Sequence, residues 1–267
     1  MVIATLFIEA QANAPGMAAS SLEKLVSDLA AEGVTITEYE VMGEEQETID
    51  EKDTFSTFVE MSVDMDLRDY LRLVMRVTPT SMEVLKAPKS ITASEAMRLL
   101  GDVCTVLGTC CQKAGVRLPM PDTQFGDERQ DGPGITDDEY DDFLEQGFIH
   151  YKFVTAVAGN EEVIRRDILR VLNVLGAYVN KIKLQEQGEQ GEGFSGLAAV
   201  DAMVPDNETL FEIALRFNPV AMSIEEPEEI ILSEAEVQDI AINLSSLVSD
   251  ITNYITIKEQ RLMPKGD

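Results

Sequence analysis

The single histidine, His150, and three cysteines, Cys104, Cys110 and Cys111, are the side chains best suited to proton transfer, nucleophilic attack or metal binding. A histidine acts as a general base when a carboxylate orients it, and as a metal ligand when further donors stand at fixed spacings. His150 opens the stretch IHYKFVTAV with no cysteine or paired carboxylate near it in sequence, which predicts a structural or solvent-facing side chain. The cysteines are odd in number and spaced neither as a disulfide framework nor as a Cys-x-x-Cys metal pair, which suits a reducing compartment. Cys104 and Cys111 lie seven apart on an apolar helical stripe and read as small buried hydrophobes, whereas Cys110 falls off it. No nucleophile elbow, His-Glu-x-x-His or P-loop occurs. The chain reads as non-catalytic, with no cofactor and no metal.

Carboxylates are abundant, and the formal charge is −28. Residues 121–148 alone hold ten acidic residues against one arginine, so the charge is concentrated in a connector. A calcium loop starting at Asp127 fails, because Arg129 stands where an oxygen ligand is needed and no glutamate closes the loop. The connector reads as an acidic linker that ends in a short helix, Asp137–Gln146, opened by Thr136-x-x-Glu139 and stopped by Gly147. QEQGEQGEGFSG at 185–196 and GEEQETIDEKD at 43–53 read as polar loops between strands; their glutamates would repel a phosphate. This sign of charge excludes nucleic acid and anionic membrane as partners and leaves another protein, a small-molecule ligand or a second copy in a homodimer. No run reaches the roughly 18 to 20 apolar residues of a membrane span. The start, MVIATLFIEAQ, has no basic region before its apolar run and carries Glu9, so it reads as the first strand of a cytoplasmic protein.

RVTPTSMEVLKAP at 76–88 returns as RFNPVAMSIEEP at 216–227. Around these anchors EGVTITEYEV answers GAYVNKIKL and TFSTFVEMSV answers GFSGLAAVDAM, so the chain reads as a duplication. Leu22, Leu25, Val26 and Leu29 recur at helical spacing before Gly33. In TFSTFVEMSVDM, Phe55, Thr57, Val59, Met61, Val63 and Met65 alternate with Ser56, Phe58, Glu60, Ser62 and Asp64, as a strand with one buried face requires. Phe55 and Phe58 therefore face opposite ways, against the outward aromatic pairs of RNA-binding sheets. Each half then reads strand-helix-strand-strand-helix-strand, the split βαβ plan, followed by a long helix opened by Thr92-x-x-Glu95 or Ser233-x-x-Glu236. The expected class is α+β, with two tandem ferredoxin-like (βαββαβ) domains, each carrying an added C-terminal helix. The expected boundaries are 1–117 for the first copy, 118–147 for the acidic linker, 148–258 for the second copy and 259–267 for a tail. The long helices carry narrow seams, Met97, Leu100, Cys104, Leu107 and Cys111, and Val237, Ile240, Leu244, Leu247, Ile251 and Tyr254. Each seam is expected to pack on its own sheet or on the other helix, or to dock a partner helix.

NAPGMAASSLEKLVSDLAAEGVTITEYEV, residues 13–41, resembles the opening of an ACT domain, a ferredoxin-like regulatory module, with Asn13, Pro15, Gly16, Gly33, Val34 and Ile36 in the matching roles. In that family the strand-to-helix turn helps bind a small ligand, usually an amino acid, so the resemblance implies ligand contacts at Asn13 and Gly16. Arg76 and Arg216, repeated beside the two prolines, are helix C-terminal cations and candidate anion ligands. The expected function is a non-catalytic protein-interaction or assembly role, and the alternative is an amino-acid-type sensor.

Overall fold

The computed structural model describes residues 1–49, 52–115, 132–186 and 194–262. Among them the chain is α+β, with antiparallel strands grouped in three sheets. The first stretch runs β1 (Val2–Ala12), α1 (Met17–Ala31), β2 (Ile36–Val41), β3 (Glu45–Ile49), β4 (Lys52–Met65), α2 (Leu67–Val77), β5 (Ser81–Lys86), β6 (Ser90–Thr92) and α3 (Ala93–Ala114). After α4 (Asp137–Glu145) come β7 (Ile149–Gly159), α5 (Glu161–Val174), β8 (Tyr178–Glu186), β9 (Phe194–Val204), α6 (Asn207–Phe217), β10 (Ala221–Glu226), β11 (Glu229–Ile231) and α7 (Glu234–Leu262). Strand order is β2-β4-β1-β5 in one sheet and β10-β7-β9-β8 in the other, so β2 answers β8 and β5 answers β10 at the edges. The connector over 116–131, with the rejected calcium loop at Asp127, and the glycine-rich loop over 187–193 lie outside the described residues.

Alternation sets the cores. On β4, Thr57, Val59, Met61, Val63 and Met65 are buried, as their spacing demands, and α1 lays Ala18, Leu22, Val26 and Leu29 over that face. The polar loop expected at 43–53 is instead partly strand, with β3 paired to β4. Its acid-rich sequence carried no apolar alternation to betray a strand, because a hairpin projecting past the core needs none. The capping boxes form as expected at Thr92/Glu95, Thr136/Glu139 and Ser233/Glu236.

The chain divides into two compact units, Met1–Lys89 with Leu232–Asp267, and Ser90–Ile231. The divisions fall after Lys89 and after Ile231, so α3 lies with the second sheet and α7 with the first. In the first unit α7 packs on α2 and β5, the Ser245 hydroxyl donates to Pro79 O at 2.9 Å, and Val84 N–H donates to Gln238 Oε1 at 3.0 Å. In the second unit α3 packs on α6 and β10, and the Cys104 thiol lies 3.4 Å from Ala214 O. The α7 seam is thus buried with the first sheet and the α3 seam with the second. A narrow apolar seam specifies that it will be buried, not which sheet buries it.

The repeated joint is where these helices seat. Thr78 and Asn218 end α2 and α6 in the left-handed region, at φ 42° and 41°, directly before Pro79 and Pro219. Met82 and Met222, of the recurring Pro-x-x-Met, take contacts from Tyr70 Oη and Tyr151 Oη at 3.4 Å. A β-branched residue pays for positive φ where asparagine pays less. Thr78→Asn is expected to stabilise the protein by about 1 kcal/mol, read as a raised urea midpoint at unchanged slope.

Candidate functional site

Of the four residues singled out from sequence, Asn13 and Gly16 share the β1–α1 turn, while Arg76 lies at the end of α2 and Arg216 at the end of α6. Asn13 is exposed in the β1–α1 turn, and Gly16, at φ 76°, starts α1. The helix N-terminus offers its free N–H groups there, and the chain fills them itself: Gly16 N–H donates to Glu44 Oε2 at 2.7 Å and Ala19 N–H to Glu44 Oε1 at 3.3 Å. At the corresponding turn of the second unit the Asn160 side chain accepts from Glu162 N–H and Val163 N–H.

Arg76 lies in the last turn of α2 and forms a two-pronged ion pair with Glu32, with Nη2 to Oε1 at 2.8 Å. The Arg76 hydrogen bond holds the Glu32 carboxyl below its ordinary range. The pair lines a cleft of ≈ 440 Å³ that also holds Asp64, Asp66, Asp69 and Arg72, so acids outnumber bases where an anion would sit. Arg216 pairs with Glu212 one turn earlier on α6, with Nε to Oε1 at 2.8 Å.

Sequence reasoning missed a polar cluster in the second unit. His150 is 8% exposed, and both its ring nitrogens are engaged. Tyr140 Oη on α4 lies 2.8 Å from Nδ1, and Nε2 lies 3.0 Å from Asp201 Oδ1 on β9. A neutral ring satisfies all three groups when Tyr140 O–H donates to Nδ1 and Nε2–H donates to Asp201. Asn180 Nδ2 donates to the same Asp201 oxygen at 3.3 Å. Tyr140 stands ten residues from His150 and Asp201 fifty-one, on separate elements, so no local spacing could reveal them. Beside the cluster, Phe143 of α4 packs on Tyr178 and Phe148 at ring separations of 4.5 and 4.8 Å.

The three groups hold one another in a closed set of hydrogen bonds. Burial raises the Tyr140 hydroxyl, with Glu226, Asp201, Glu225 and Asp141 adding to it, which is the reverse of an activated phenolate. Burial pushes Asp201 up, but the hydrogen bond from His150, with Asn180 and Lys152, outweighs it and leaves the carboxyl below its ordinary value. With both nitrogens occupied, the imidazole has no free lone pair to take a substrate proton. A carboxyl lowered in the folded state stabilises above its unfolded value, and that stability is lost as pH falls through its own lower value. Asp201→Asn is therefore expected to flatten the fall in stability below about pH 4, with little change at lower pH still, read by urea unfolding across a pH series.

Asp201 also lines a shallow groove of ≈ 360 Å³ on the second sheet. Lys152 and Lys181 stand opposite it on the flanking strands β7 and β8. Lys152 lies 3.5 Å from Glu225. Among the described residues no three or more His, Cys, Asp or Glu side chains form a group that could hold a metal ion, and no helix is long and apolar enough to cross a membrane. Cys104, buried, has its thiol pushed up by that burial to about 11, so it is unreactive; Cys110 is half-buried.

A family model described as the MJ0538 family matches residues 3–260. The chain is 31% identical over 206 residues to "Uncharacterized protein MJ0538" of Methanocaldococcus jannaschii, an alignment spanning 75% of this chain and 78% of that protein. No solved structure matches.

Proposed function

We propose that this chain, which belongs to the MJ0538 family, is a non-catalytic interaction or assembly protein. The observation that carries the reading is the uncovered face of the first sheet. Phe7 and Phe58 meet there with ring centroids 6.3 Å apart, and Phe58 is 38% exposed. Glu9, Glu60 and Glu83 surround them on the same face, each exposed. An aromatic pair ringed by one sign of charge suits an apolar protein surface with a basic rim. The engaged ring of His150 and the raised Tyr140 support the absence of catalysis. The test is capture of partners from native extract by the tagged full chain. A basic protein should be retained by the wild type and lost with Phe58→Ala, while partners held equally by both, or a turnover abolished by His150→Gln, would sink the reading.

The finer fold belongs to the same proposal. Each sheet with its two helices is one ferredoxin-like copy, and the matching strand orders and repeated joints support it. The copies are 1–117 and 148–258 in sequence, and they exchange their last helices in space.

A second reading is an amino-acid-type sensor. Its support is the row Lys152, Asp201, Lys181 along the second groove, which offers a carboxylate between two ammonium groups to a small zwitterion. A thermal-unfolding screen with amino acids at about a hundredfold excess over their dissociation constants should add roughly 2.7 kcal/mol of stability if one binds there. A shift that survives Lys181→Ala would place the ligand elsewhere.

A further inference from the structure

The groove on the second sheet reverses the charge balance of the chain. Acids outnumber lysines and arginines by 49 to 21 over the whole sequence, yet the groove is lined by Lys152, Lys181 and Lys183 against one carboxylate, Asp201. Lys181 and Lys183 are exposed and form no ion pair among the described residues, while Lys152 has Glu225 at 3.5 Å. The fold does not require these cations. In the first sheet the matching row across β1, β4 and β2 is Thr5, Ser62 and Glu38, with Glu40 one same-face step further along β2. A sheet of the same strand order thus stands there with hydroxyls and carboxylates instead.

Asp201 is held so that half of its carboxylate stays available. The bonds from His150 Nε2 and Asn180 Nδ2 both end on Oδ1, at 3.0 and 3.3 Å, and the side chain remains 21% exposed. Oδ2 retains its lone pairs for a donor arriving from solvent. Register fixes what surrounds it. Lys152 and Lys181 are the cross-strand partners of Asp201, each about 5 Å away at the backbone. The next row on the same face is Ala221, Val154, Ala199 and Lys183, roughly 7 Å further along the strands. The two alanines keep that row low, so the groove runs from Asp201 to Lys183.

We propose, on the small-molecule reading of this groove, that it binds a short dicarboxylate bearing an amine or hydroxyl. One carboxylate lies between Lys152 and Lys181, the amine or hydroxyl donates to Asp201 Oδ2, and the second carboxylate crosses Ala199 to Lys183. A chain of four or five carbons spans the distance between the rows. A neutral amino acid satisfies the first row and leaves Lys183 unused. A compact anion meets the lysines but sets a like charge against Asp201 with no donor to relieve it.

The test is calorimetric titration of the full chain with L-aspartate, L-malate, succinate, L-alanine and inorganic phosphate. Aspartate and malate should bind roughly tenfold more tightly than the other three, since alanine lacks the second carboxylate, succinate the donor and phosphate the span. Lys183→Ala should abolish the preference over alanine and leave alanine where it was. Lys183 is exposed, so the variant should keep the wild-type urea midpoint, which separates loss of the contact from loss of the fold. Succinate, alanine or phosphate binding as tightly as aspartate, or a preference for aspartate that survives Lys183→Ala, would overturn the proposal and leave the groove a small-molecule site. Binding by none of the five would remove that reading as well.

Discussion

Leu244→Ala is expected to loosen strand β5, about 160 residues earlier in the chain, and to leave β10, its neighbour in sequence, protected. Leu244 is fully buried on α7, and α7 packs on α2 and β5. Truncating a buried leucine costs about 2 to 5 kcal/mol through lost transfer energy and the cavity left behind. Leu107→Ala is the mirror experiment, since Leu107 is buried on α3, which packs on α6 and β10. Amide hydrogen exchange reads both: faster exchange in Ser81–Lys86 for the first variant and in Ala221–Glu226 for the second. The reverse assignment, each helix protecting the strand that precedes it, would mean the helices are not exchanged in solution.

Gly196→Ala should cost about 3 kcal/mol and open the β8–β9 ladder first. A methyl group built at Gly196 would lie 2.1 Å from Gln185 O and 2.9 Å from Glu186 Cα. Those are backbone atoms of the paired strand, which cannot rotate aside as a flexible side chain would. The ladder sets Gly196 opposite Glu186, so relief requires the strands to part there. The measurements are the urea midpoint and exchange at Gln185 and Leu197. A midpoint unchanged within about 0.5 kcal/mol would show that the strands separate at that end without cost.

What could be read from the residues alone is what local chemistry controls. The alternation from Thr57 to Met65, the capping boxes at Thr92, Thr136 and Ser233, and the recurrence of Pro-x-x-Met each involve groups within a few residues of one another. Backbone geometry translates such spacings into helix ends, strand faces and joints without reference to the rest of the chain. Strand β3 was missed because it carries no apolar alternation, and Glu44 at the Gly16 turn because twenty-eight residues separate them.

By itself, the sequence determined that this chain is α+β, that a pattern of elements recurs along it, and which side of β4, α1, α3 and α7 is buried. Tertiary structure alone decided that α7 serves the first sheet and α3 the second, and that Tyr140, His150 and Asp201 converge. The physical reason is the range of the information. Periodicity and capping act over one or two turns, whereas the choice between two similar apolar faces, and the meeting of polar groups fifty-one residues apart, depends on how the whole chain closes.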